Sequence, residues 1–497
     1  MIDELLGQIR DGKDLRATLQ KIREAIRDRA AFDEALMAVG DGGLLIPLLQ
    51  NEDPKVRKNT AALLGDLGVA EAAEPLFLAY QAEQTLFIRS TLLAALGKIG
   101  AEDYLEPLQK QYEKLCAAEP EEDERKHVAQ ELHVLQQILH QEEESVHHTF
   151  TGWKGKKSIF LTTLPGYGEV TEQALHRQCG VTKTAVSSSG VRAVAEDLRS
   201  VIKLRTFRDL FFVIPLPELD RDAKPEKVGE ALGESILLSL LLHCHREEAP
   251  FYFRMEIRTG LPLQQREVYI RRLGMALEEK TARQLRNDPT EYEFEIRLLA
   301  DGKDRLYAFL KMNTIPMERF AYRKETIAAS MHPYLAALLM QLAKPWLKES
   351  SRVLDACCGV GTWLVERDRL MPSRELYGVD IFGEAVEKAK QNCQAADIEA
   401  TLIKRDYTEF RSGQKFDEIL ADLPVRGKRT KEEHEEFYRQ FFDKSVRLLA
   451  PGGVLVLYSG EEGFIKKQLR LHDRLKLKQE YPIRRKDGYM LYIIMLD

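Results

Sequence analysis

Apolar positions along the first 115 residues recur at helical spacing, and one segment of the pattern returns 32 positions later. The repeated positions are Val56-Arg57 and Ile88-Arg89, Leu64-Gly65 and Leu96-Gly97, Gly68 and Gly100, and Pro75 and Pro107. A helix pair that repeats at this length buries its apolar face on the next copy, because it cannot bury that face alone. The pattern therefore predicts an α-solenoid over residues 1–115.

The next segment, residues 116–150, is rich in charged residues and begins with an acidic run. Apolar residues still recur in it at helical spacing, at Val128, Leu132, Leu135 and Leu139. This combination predicts a charged, solvated helix that links two domains. Three histidines lie two helical turns apart, at His133, His140 and His147. Neighbours at that spacing are separated by about 10 Å, which is too far to share one ion, so no metal site is predicted.

From residue 151 the pattern becomes a mixture of period-two and helical segments, which predicts an α+β region. Strands are predicted at residues 158–163, 209–215, 251–259, 291–299 and 305–311. Helices are predicted at residues 168–177, 191–204, 228–245 and 265–286. The turn at residues 300–304 contains glycine and joins the last two strands into a hairpin.

Short apolar runs alternate with helical stretches in residues 316–497. The predicted strands are residues 351–355, 377–380, 401–406, 416–422, 452–458 and 489–495. Strands that alternate with helices predict a doubly wound, Rossmann-like α/β sheet, which binds its ligand at the carboxyl ends of the strands. The whole chain is therefore predicted to be multidomain: an N-terminal α-solenoid, a central α+β region and a C-terminal α/β domain.

Composition agrees with several globular domains. The chain has 497 residues, of which 44% are apolar and 31% charged, and this length exceeds what one hydrophobic core usually organises. No run of 18 apolar residues and no basic, apolar leader occurs, and the six cysteines form no C-x-x-C pair, so we expect a reduced, cytoplasmic protein without a membrane span. The net charge of −6 does not indicate nucleic-acid binding by itself, although a local basic face can still bind RNA.

The clearest chemical signal is the stretch from Asp355 to Thr362, Asp-Ala-Cys-Cys-Gly-Val-Gly-Thr. Gly359 and Gly361 permit a tight turn close to a ligand, and the following helix points its free N–H groups at that ligand. Asp380, which ends the next strand, is placed to accept hydrogen bonds from two ribose hydroxyls. The loop lacks the Gly-Lys-Ser/Thr of a phosphate loop and the G-x-G-x-x-G spacing of a nicotinamide site. An acidic residue at its start suits a ligand that carries an ammonium group.

These residues resemble motif I and the ribose-binding acid of class I S-adenosylmethionine (SAM) methyltransferases. The resemblance implies SAM as the cofactor, with Asp406 at the end of the third strand contacting the adenine amine. The cofactor-binding residues that it implies are Asp355, Cys357, Gly359, Gly361, Thr362, Asp380, Ile381, Asp406, Tyr407 and Asp422.

The fourth strand ends in Asp422, and the loop Asp-Leu-Pro-Val-Arg-Gly-Lys-Arg runs to Arg429. Methyl transfer is an in-line displacement that depends mainly on positioning. An exocyclic amine is a weak nucleophile, and a site helps by accepting a hydrogen bond from it. Asp422 and the backbone carbonyl of Leu423 are suited to that role, and Pro424 stiffens the loop. The loop resembles that of guanosine N2 methyltransferases that carry a THUMP domain.

The loop departs from that family at two positions. Val425 stands where the family has an aromatic residue that stacks on the flipped base, and Arg426 is an extra residue before Gly427. A guanidinium plane also stacks on bases, so Arg426 is a candidate replacement. The alternative is a degenerate loop that binds SAM without turnover. Cys357 and Cys358 are interpreted as small residues beside the cofactor, since cytosine C5 methylation would place a cysteine in the fourth-strand loop.

The central region resembles a THUMP domain (residues 218–315) preceded by its ferredoxin-like partner (residues 151–217), with residues 316–497 as the methyltransferase domain. In that family THUMP captures structured RNA, usually the tRNA acceptor stem. The implied RNA contacts are Arg266, Arg271, Arg272, Arg283 and Arg286 on one predicted helix. The N-terminal turn at residues 51–57 resembles a HEAT repeat, which implies either a docking surface for protein or RNA or a structural cap.

Three functions remain open from the sequence. The first is a SAM-dependent methyltransferase acting on the N2 amine of a guanosine in tRNA or rRNA. The second is a catalytically silent adaptor that binds SAM and RNA and presents the repeats to a partner. The third is a methyltransferase of the same fold acting on DNA adenine or protein glutamine, which the THUMP-like segment disfavours.

Overall fold

Stacked helices form the N-terminal part of the protein. Their bounds are α1 (Ile2–Arg10), α2 (Leu15–Ala25), α3 (Arg29–Val39), α4 (Pro54–Leu67), α5 (Ala73–Ala82), α6 (Leu86–Ile99), α7 (Leu105–Ala117) and α8 (Arg125–His140). Asp53 caps α4 by accepting from the Lys55 backbone N–H at 2.8 Å. A Cβ on Gly65 of α4 would lie 2.7 Å from the Cα of Ala95 on α6. The repeated glycine therefore lets these two equivalent helices cross at close range.

The α8 helix packs into this array, so the prediction of a solvated linking helix was wrong. Its buried side chains are Val128, Leu132, Leu135 and Ile138. Glu131 is only 1% exposed and accepts from Tyr80 Oη at 2.6 Å and from Arg89 Nε at 2.9 Å. The charged composition of the segment concealed an apolar stripe, which α6 and α7 cover. It also concealed one buried carboxylate, that of Glu131, which pairs with Arg89.

Replacing Glu131 by alanine is expected to lower the free energy of unfolding of the helical array by about 2 kcal/mol, because Arg89 and Tyr80 would keep buried donors without their charged acceptor. Urea unfolding followed by circular dichroism measures this loss. Glu106→Ala is a matched control, since that side chain is 81% exposed in its pair with Lys110, and solvent screening should make its effect on unfolding much smaller than that of Glu131→Ala. Equal losses in the two variants would contradict the prediction.

The central part mixes strands and helices. In chain order they are β1 (Lys157–Thr162), α9 (Gly168–Cys179), β2 (Thr184–Ser187), β3 (Gly190–Ala195), β4 (Leu210–Ile214), α10 (Pro225–Glu234), α11 (Leu237–Cys244), β5 (Phe251–Arg258), α12 (Leu263–Lys280), β6 (Leu285–Asn287), β7 (Phe294–Ala300) and β8 (Leu306–Met312). The β1 strand pairs antiparallel with β3 and β4, and β2 pairs antiparallel with β3. The β5 strand pairs in parallel with β6 and β7.

The prediction of a helix over residues 191–204 was wrong. The chain forms β3 there, followed by a short 3₁₀ turn. Val191, Ala193 and Ala195 are buried while Arg192 between them is exposed, so the true period is two. Pairing with β1 decided the conformation of a segment whose composition also fits a helix.

Two further helices are shorter than predicted. The helix expected over residues 228–245 is interrupted at Ser235, whose extended backbone (ψ −177°) separates α10 from α11. The helix expected over residues 265–286 ends at Lys280, because Ala282 and Arg283 adopt left-handed φ values of 49° and 60°.

The C-terminal part contains the predicted doubly wound sheet. Its elements are α13 (Pro333–Ala343), β9 (Arg352–Asp355), α14 (Thr362–Leu370), β10 (Glu375–Asp380), α15 (Gly383–Ala395), β11 (Thr401–Lys404), β12 (Phe416–Asp422), α16 (Lys431–Leu448), β13 (Leu449–Ser459), α17 (Glu462–Leu471), β14 (Leu475–Arg484) and β15 (Tyr489–Leu496). The strand order is β11-β10-β9-β12-β13-β15-β14. Strands β9 to β13 are parallel and β15 is antiparallel to both neighbours.

Two apolar clusters cover the two faces of this sheet. Consecutive residues of β9 and β12 alternate between them: Leu354 and Ile419 join one cluster, and Val353 and Leu420 join the other. The β14 strand was not predicted, because residues 476–479 in it are exposed and mostly polar.

The computed structural model describes residues 1–118, 120–140, 147–153, 155–258 and 262–497. Parts of the predicted linker (119 and 141–146) and the last residue of the predicted strand 251–259 lie outside them. The chain divides into two compact units. The first comprises Met1–Thr149, Pro215–Leu242 and Arg246–Ala308, and the second comprises Phe150–Ile214, His243–His245 and Phe309–Asp497.

Candidate active site

Strand register brings the predicted carboxylates to one edge of the C-terminal sheet. Asp355 at the end of β9 pairs with Gly378 of β10 and Leu420 of β12. Asp380 ends β10 and Asp422 ends β12. Because these strands are parallel, their carboxyl ends meet, and the loops that follow them surround one crevice.

The glycine loop holds Asp380, the acid predicted to bind ribose, in place. Gly359 and Gly361 adopt left-handed φ values of 51° and 79°, which side chains disfavour. The Gly359 N–H donates to Asp380 Oδ2 at 2.8 Å, and the Phe382 N–H donates to Asp380 Oδ1 at 2.9 Å. A carboxylate oxygen can accept a second hydrogen bond, so both oxygens retain capacity for a vicinal diol. Thr362 is buried and begins α14.

Asp355 is a buried carboxylate that suits a cationic ligand. It is 2% exposed and accepts from the Cys357 N–H at 3.2 Å. Burial raises the pKa of Asp355 well above its usual value, and the charges of Asp380 and Asp422 raise it further. A bound cation would relieve this like-charge cluster. Burial and the same carboxylates also raise the pKa of the Cys357 thiol, which argues against a thiolate nucleophile there.

The other predicted cofactor contacts differ in their surroundings. Asp406 Oδ1 accepts from Thr408 N at 2.8 Å and from Thr408 Oγ1 at 2.7 Å, so one carboxylate oxygen caps the turn. Tyr407 is 5% exposed, and its hydroxyl lies 2.9 Å from Ser445 Oγ. The Tyr407 ring therefore belongs to the core beside α16. Ile381 is 56% exposed just after Asp380, where an apolar side chain can cover an adenine.

Asp422 begins the predicted catalytic loop. Burial raises the pKa of Asp422 to about 7, while the charge of Arg484 opposes that rise. The Leu423 N–H donates to the Tyr458 carbonyl at 3.0 Å. This bond holds the chain to β13 for one residue beyond the strand before Pro424 turns it away. Val425 is 63% exposed, and Arg426 is exposed as well.

A cluster at the same edge, made of Arg484, Tyr458 and Tyr489, was not predicted from the sequence. Arg484 Nε donates to Tyr458 Oη at 2.8 Å, and its guanidinium carbon lies 4.6 Å from the centroid of the Tyr489 ring. The tyrosines stood in predicted strands, whereas Arg484 stood in the unpredicted β14. The antiparallel pairing of Arg484 with Tyr489 was the missing signal.

A buried network ties the cofactor-loop helix to earlier segments of the second unit. Glu366 on α14 accepts both prongs of the Arg205 guanidinium at 2.7 Å each. The Tyr322 hydroxyl donates to Glu366 Oε1 at 2.7 Å. Since α14 begins at the glycine loop, these contacts fix the position of the helix that follows that loop.

The arginines predicted to bind RNA do not share one helix. Arg266, Arg271 and Arg272 lie on α12, whereas Arg283 lies in the turn after it and Arg286 lies in β6. The prediction of one basic helix face was wrong, because α12 ends at Lys280. Arg272 Nε also pairs with Glu226 at 2.7 Å.

Another face of α12 is covered by the helical repeats. Met275 packs against a buried cluster formed by Cys116 of α7 with Val128 and Leu132 of α8. Next to this contact lies a cleft of about 480 Å³ lined by both the repeats and α12. Its basic lining residues are Arg125, Arg271 and Arg272.

No helix within the described ranges is both long and apolar enough to cross a bilayer. Within the same ranges, no group of three or more His, Cys, Asp and Glu side chains is arranged to hold a metal ion.

Comparison with known families agrees with this geometry. Residues 321–487 match the family model of the RMKL-like methyltransferase domain, and residues 43–133 match that of HEAT repeats. The second match extends into α8, in agreement with its packing on α6 and α7. A search of curated proteins by sequence found no match.

Several solved structures share the fold. TrmN from Thermus thermophilus is 20% identical, with a TM-score of 0.53 over 69% of this chain and 100% of that one. SMU.472, solved in complex with SAH, is 15% identical, with a TM-score of 0.53 over 68% and 98% of the two chains. A predicted N6-adenine-specific DNA methylase from Listeria monocytogenes is 17% identical, with a TM-score of 0.51 over 68% and 96%.

Taken with the family match, the site identifies the chemistry at a coarse level. Residues 321–487 form a methyltransferase domain, and S-adenosylmethionine is the cofactor. The buried carboxylate of Asp355 and the two oxygens of Asp380 fit the cationic and ribose ends of that molecule.

Replacing Asp380 by alanine is expected to weaken SAM binding roughly 30-fold to 100-fold, because two hydrogen bonds to a charged acceptor are lost. Isothermal titration calorimetry measures the dissociation constant. Glu399→Ala serves as the control, since this exposed residue lies in the same domain. An unchanged SAM affinity in Asp380→Ala would show that Asp380 does not bind the ribose.

Proposed function

We propose that this protein is a SAM-dependent RNA methyltransferase that methylates the exocyclic N2 amine of a guanosine in tRNA or rRNA. The observation that carries the proposal is Asp422, whose half-buried carboxylate ends β12 at the same edge of the sheet as Asp355 and Asp380 and opens the Leu423-Pro424 loop. A carboxylate at that position is placed to accept a hydrogen bond from a target amine.

The chain's residues would act mainly by positioning. SAM supplies the methyl group on a positively charged sulfur. Asp355 and Asp380 orient the donor, and Asp422 accepts a hydrogen bond from the target amine, so that its lone pair points toward the methyl carbon. The nitrogen–carbon bond forms as the sulfur–carbon bond breaks. The products are S-adenosylhomocysteine and a methylated amine, which releases one proton to Asp422 or to water.

RNA is the proposed substrate because of the central region. Its order of strands and helices supports a THUMP module, and the basic cleft beside α12 supports phosphate binding. In this proposal Arg266, Arg271 and Arg272 contact RNA from α12, and Arg283 and Arg286 contact it from the following turn and strand. The helical repeats contribute Arg125 to the same cleft. The protein would act in the cytoplasm.

Two other candidates retain support from particular observations. Val425 is exposed and supplies no aromatic ring to a base, which favours an adaptor that binds SAM and RNA without turnover. The Listeria monocytogenes structure is described as an N6-adenine-specific DNA methylase, which favours a base amine in DNA. Protein glutamine stays a third candidate for this loop.

The pH dependence follows from Asp422. With its pKa raised to about 7 by burial, the carboxyl is protonated at lower pH and then cannot accept through both oxygens. We expect kcat/KM to rise about tenfold per pH unit below pH 7 and to level off above it, because this ratio reports the free enzyme. In Asp422→Asn the step should disappear. A step that persists in this variant would assign the titration to another group.

A deletion strain tests the proposal as a whole. Nucleoside analysis of its tRNA and rRNA should show a loss of N2-methylguanosine that wild-type protein restores and Asp422→Ala does not. Unchanged methylguanosine would exclude the proposed reaction. Loss of methylation at DNA adenine or protein glutamine in the same strain would favour the corresponding alternative.

A further inference from the structure

The cluster of Arg484, Tyr458 and Tyr489 beside Asp422 takes no part in the proposed methyl transfer. Arg484 is held at two points, by its hydrogen bond to Tyr458 Oη and by its position over the Tyr489 ring. The two tyrosine rings lie 5.0 Å apart at 35° to one another. Such contacts restrict a flexible arginine to one orientation of its guanidinium plane.

Strand pairing places this cluster at the reacting edge of the sheet. Asp422 lies opposite Tyr458 in the parallel pair of β12 and β13. Tyr458 lies opposite Leu491 in β15, and Arg484 lies opposite Tyr489 at the turn of β14 and β15. The charge of Arg484 opposes the rise in the pKa of Asp422, and the charge of Asp422 contributes to the raised pKa of Tyr489. The three groups are therefore close enough to interact electrostatically.

The exposed surface of the cluster belongs to Arg484. Tyr458 is 1% exposed and acts as a buried anchor, whereas the Arg484 side chain is 46% exposed. Tyr489 is partly buried, and a Cβ on Gly460 would lie 3.3 Å from its ring. The ring is thus packed against backbone on one side. The Asp487 carboxylate lies 4.0 Å from the Arg484 guanidinium, which is too long for a hydrogen bond.

A base-modifying enzyme needs a flat surface for the base that it takes out of the stack. The loop after Asp422 offers Val425, whose side chain is not planar. Arg426, the other candidate, is exposed. Arg484 is the planar group that the fold itself holds beside Asp422.

We propose that the Arg484 guanidinium, supported by Tyr489, is the surface on which the target nucleobase stacks, in place of the aromatic residue absent at Val425. This inference rests on the proposed function, and among the candidate substrates it favours a nucleobase over a protein glutamine. A glutamine amide has no comparable face to stack.

The test uses 2-aminopurine riboside monophosphate, a fluorescent purine that carries an amine at position 2 and is quenched when it stacks. It is titrated into the full-length protein loaded with S-adenosylhomocysteine. Wild type should quench it saturably, and Arg484→Met and Tyr489→Leu should weaken binding about tenfold, within the range of a lost base stack. Tyr489→Phe keeps the ring and should retain most of the quenching.

Lys486→Met is the matched control, because it removes one exposed positive charge from the same turn. Calorimetry with S-adenosylhomocysteine should give similar affinities for all variants, which shows that they fold. Absence of quenching in wild type, or equal quenching in Arg484→Met and Lys486→Met, would overturn the stacking surface. Quenching without any methylation of RNA from the deletion strain would instead overturn the proposed function and leave the base-binding surface standing.

Discussion

Replacing Asp422 by alanine is expected to slow methyl transfer about 100-fold, because the target amine would lose the acceptor that aligns it with the methyl carbon. S-adenosylhomocysteine should bind about as tightly as before, since it lacks the sulfonium charge. Single-turnover transfer of a radioactive methyl group to RNA from the deletion strain measures the rate. Calorimetry measures the affinity.

The control for this variant is Asp473→Ala, which removes an exposed carboxylate of the same domain. It should leave the rate unchanged. Asp422→Asn keeps an acceptor oxygen and should fall between alanine and wild type. A rate in Asp422→Ala close to that of the control would contradict the assigned role and favour the adaptor hypothesis.

Replacing Arg367 by methionine is expected to lower the free energy of unfolding by about 3–5 kcal/mol, because it leaves Glu418 buried without its partner. Arg367 and Glu418 are 0% and 2% exposed, and Arg367 Nε and Nη2 donate to the carboxylate at 2.6 Å and 2.8 Å. The arginine also donates to the Lys348 and Met371 carbonyls. Glu418 lies on β12, four residues before Asp422.

Thermal unfolding of the full-length protein measures this effect through the transition that SAM shifts. The double variant Arg367→Met with Glu418→Met is the informative comparison, because an apolar pair often replaces a buried ion pair at little cost. It should recover most of the lost stability. If the double variant is as unstable as Arg367→Met, the loss comes from the two carbonyl contacts and not from the uncompensated charge.

Packing of the repeats on α12 limits the surface that is available for the proposed RNA contact. The basic cleft includes Arg125 from the repeats together with Arg271 and Arg272. One face of α12 is meanwhile covered by α7 through Met275. The repeats therefore both restrict the surface that α12 presents and add a cation to what remains.

The placement of the predicted cofactor-binding residues at one edge of the sheet was predictable from sequence alone. Gly359, Gly361 and Asp380 follow a local order of strand, turn, helix and strand, and a parallel α/β sheet places such turns at one edge whatever else the chain does. Asp422 was found for the same reason, since it ends an apolar strand. The helical repeat was predictable because the apolar positions themselves recur with its period.

Tertiary structure decided whatever depends on partners distant in the chain. Pairing with β1 made residues 190–195 a strand, and burial against α6 and α7 removed α8 from solvent. The contacts of Arg484 with Tyr458, of Arg205 with Glu366 and of Arg89 with Glu131 join residues 26, 161 and 42 positions apart. The sequence does not show whether a polar residue is exposed to water or buried with a partner. The free energy of burying such a residue depends on the neighbours that pack around it.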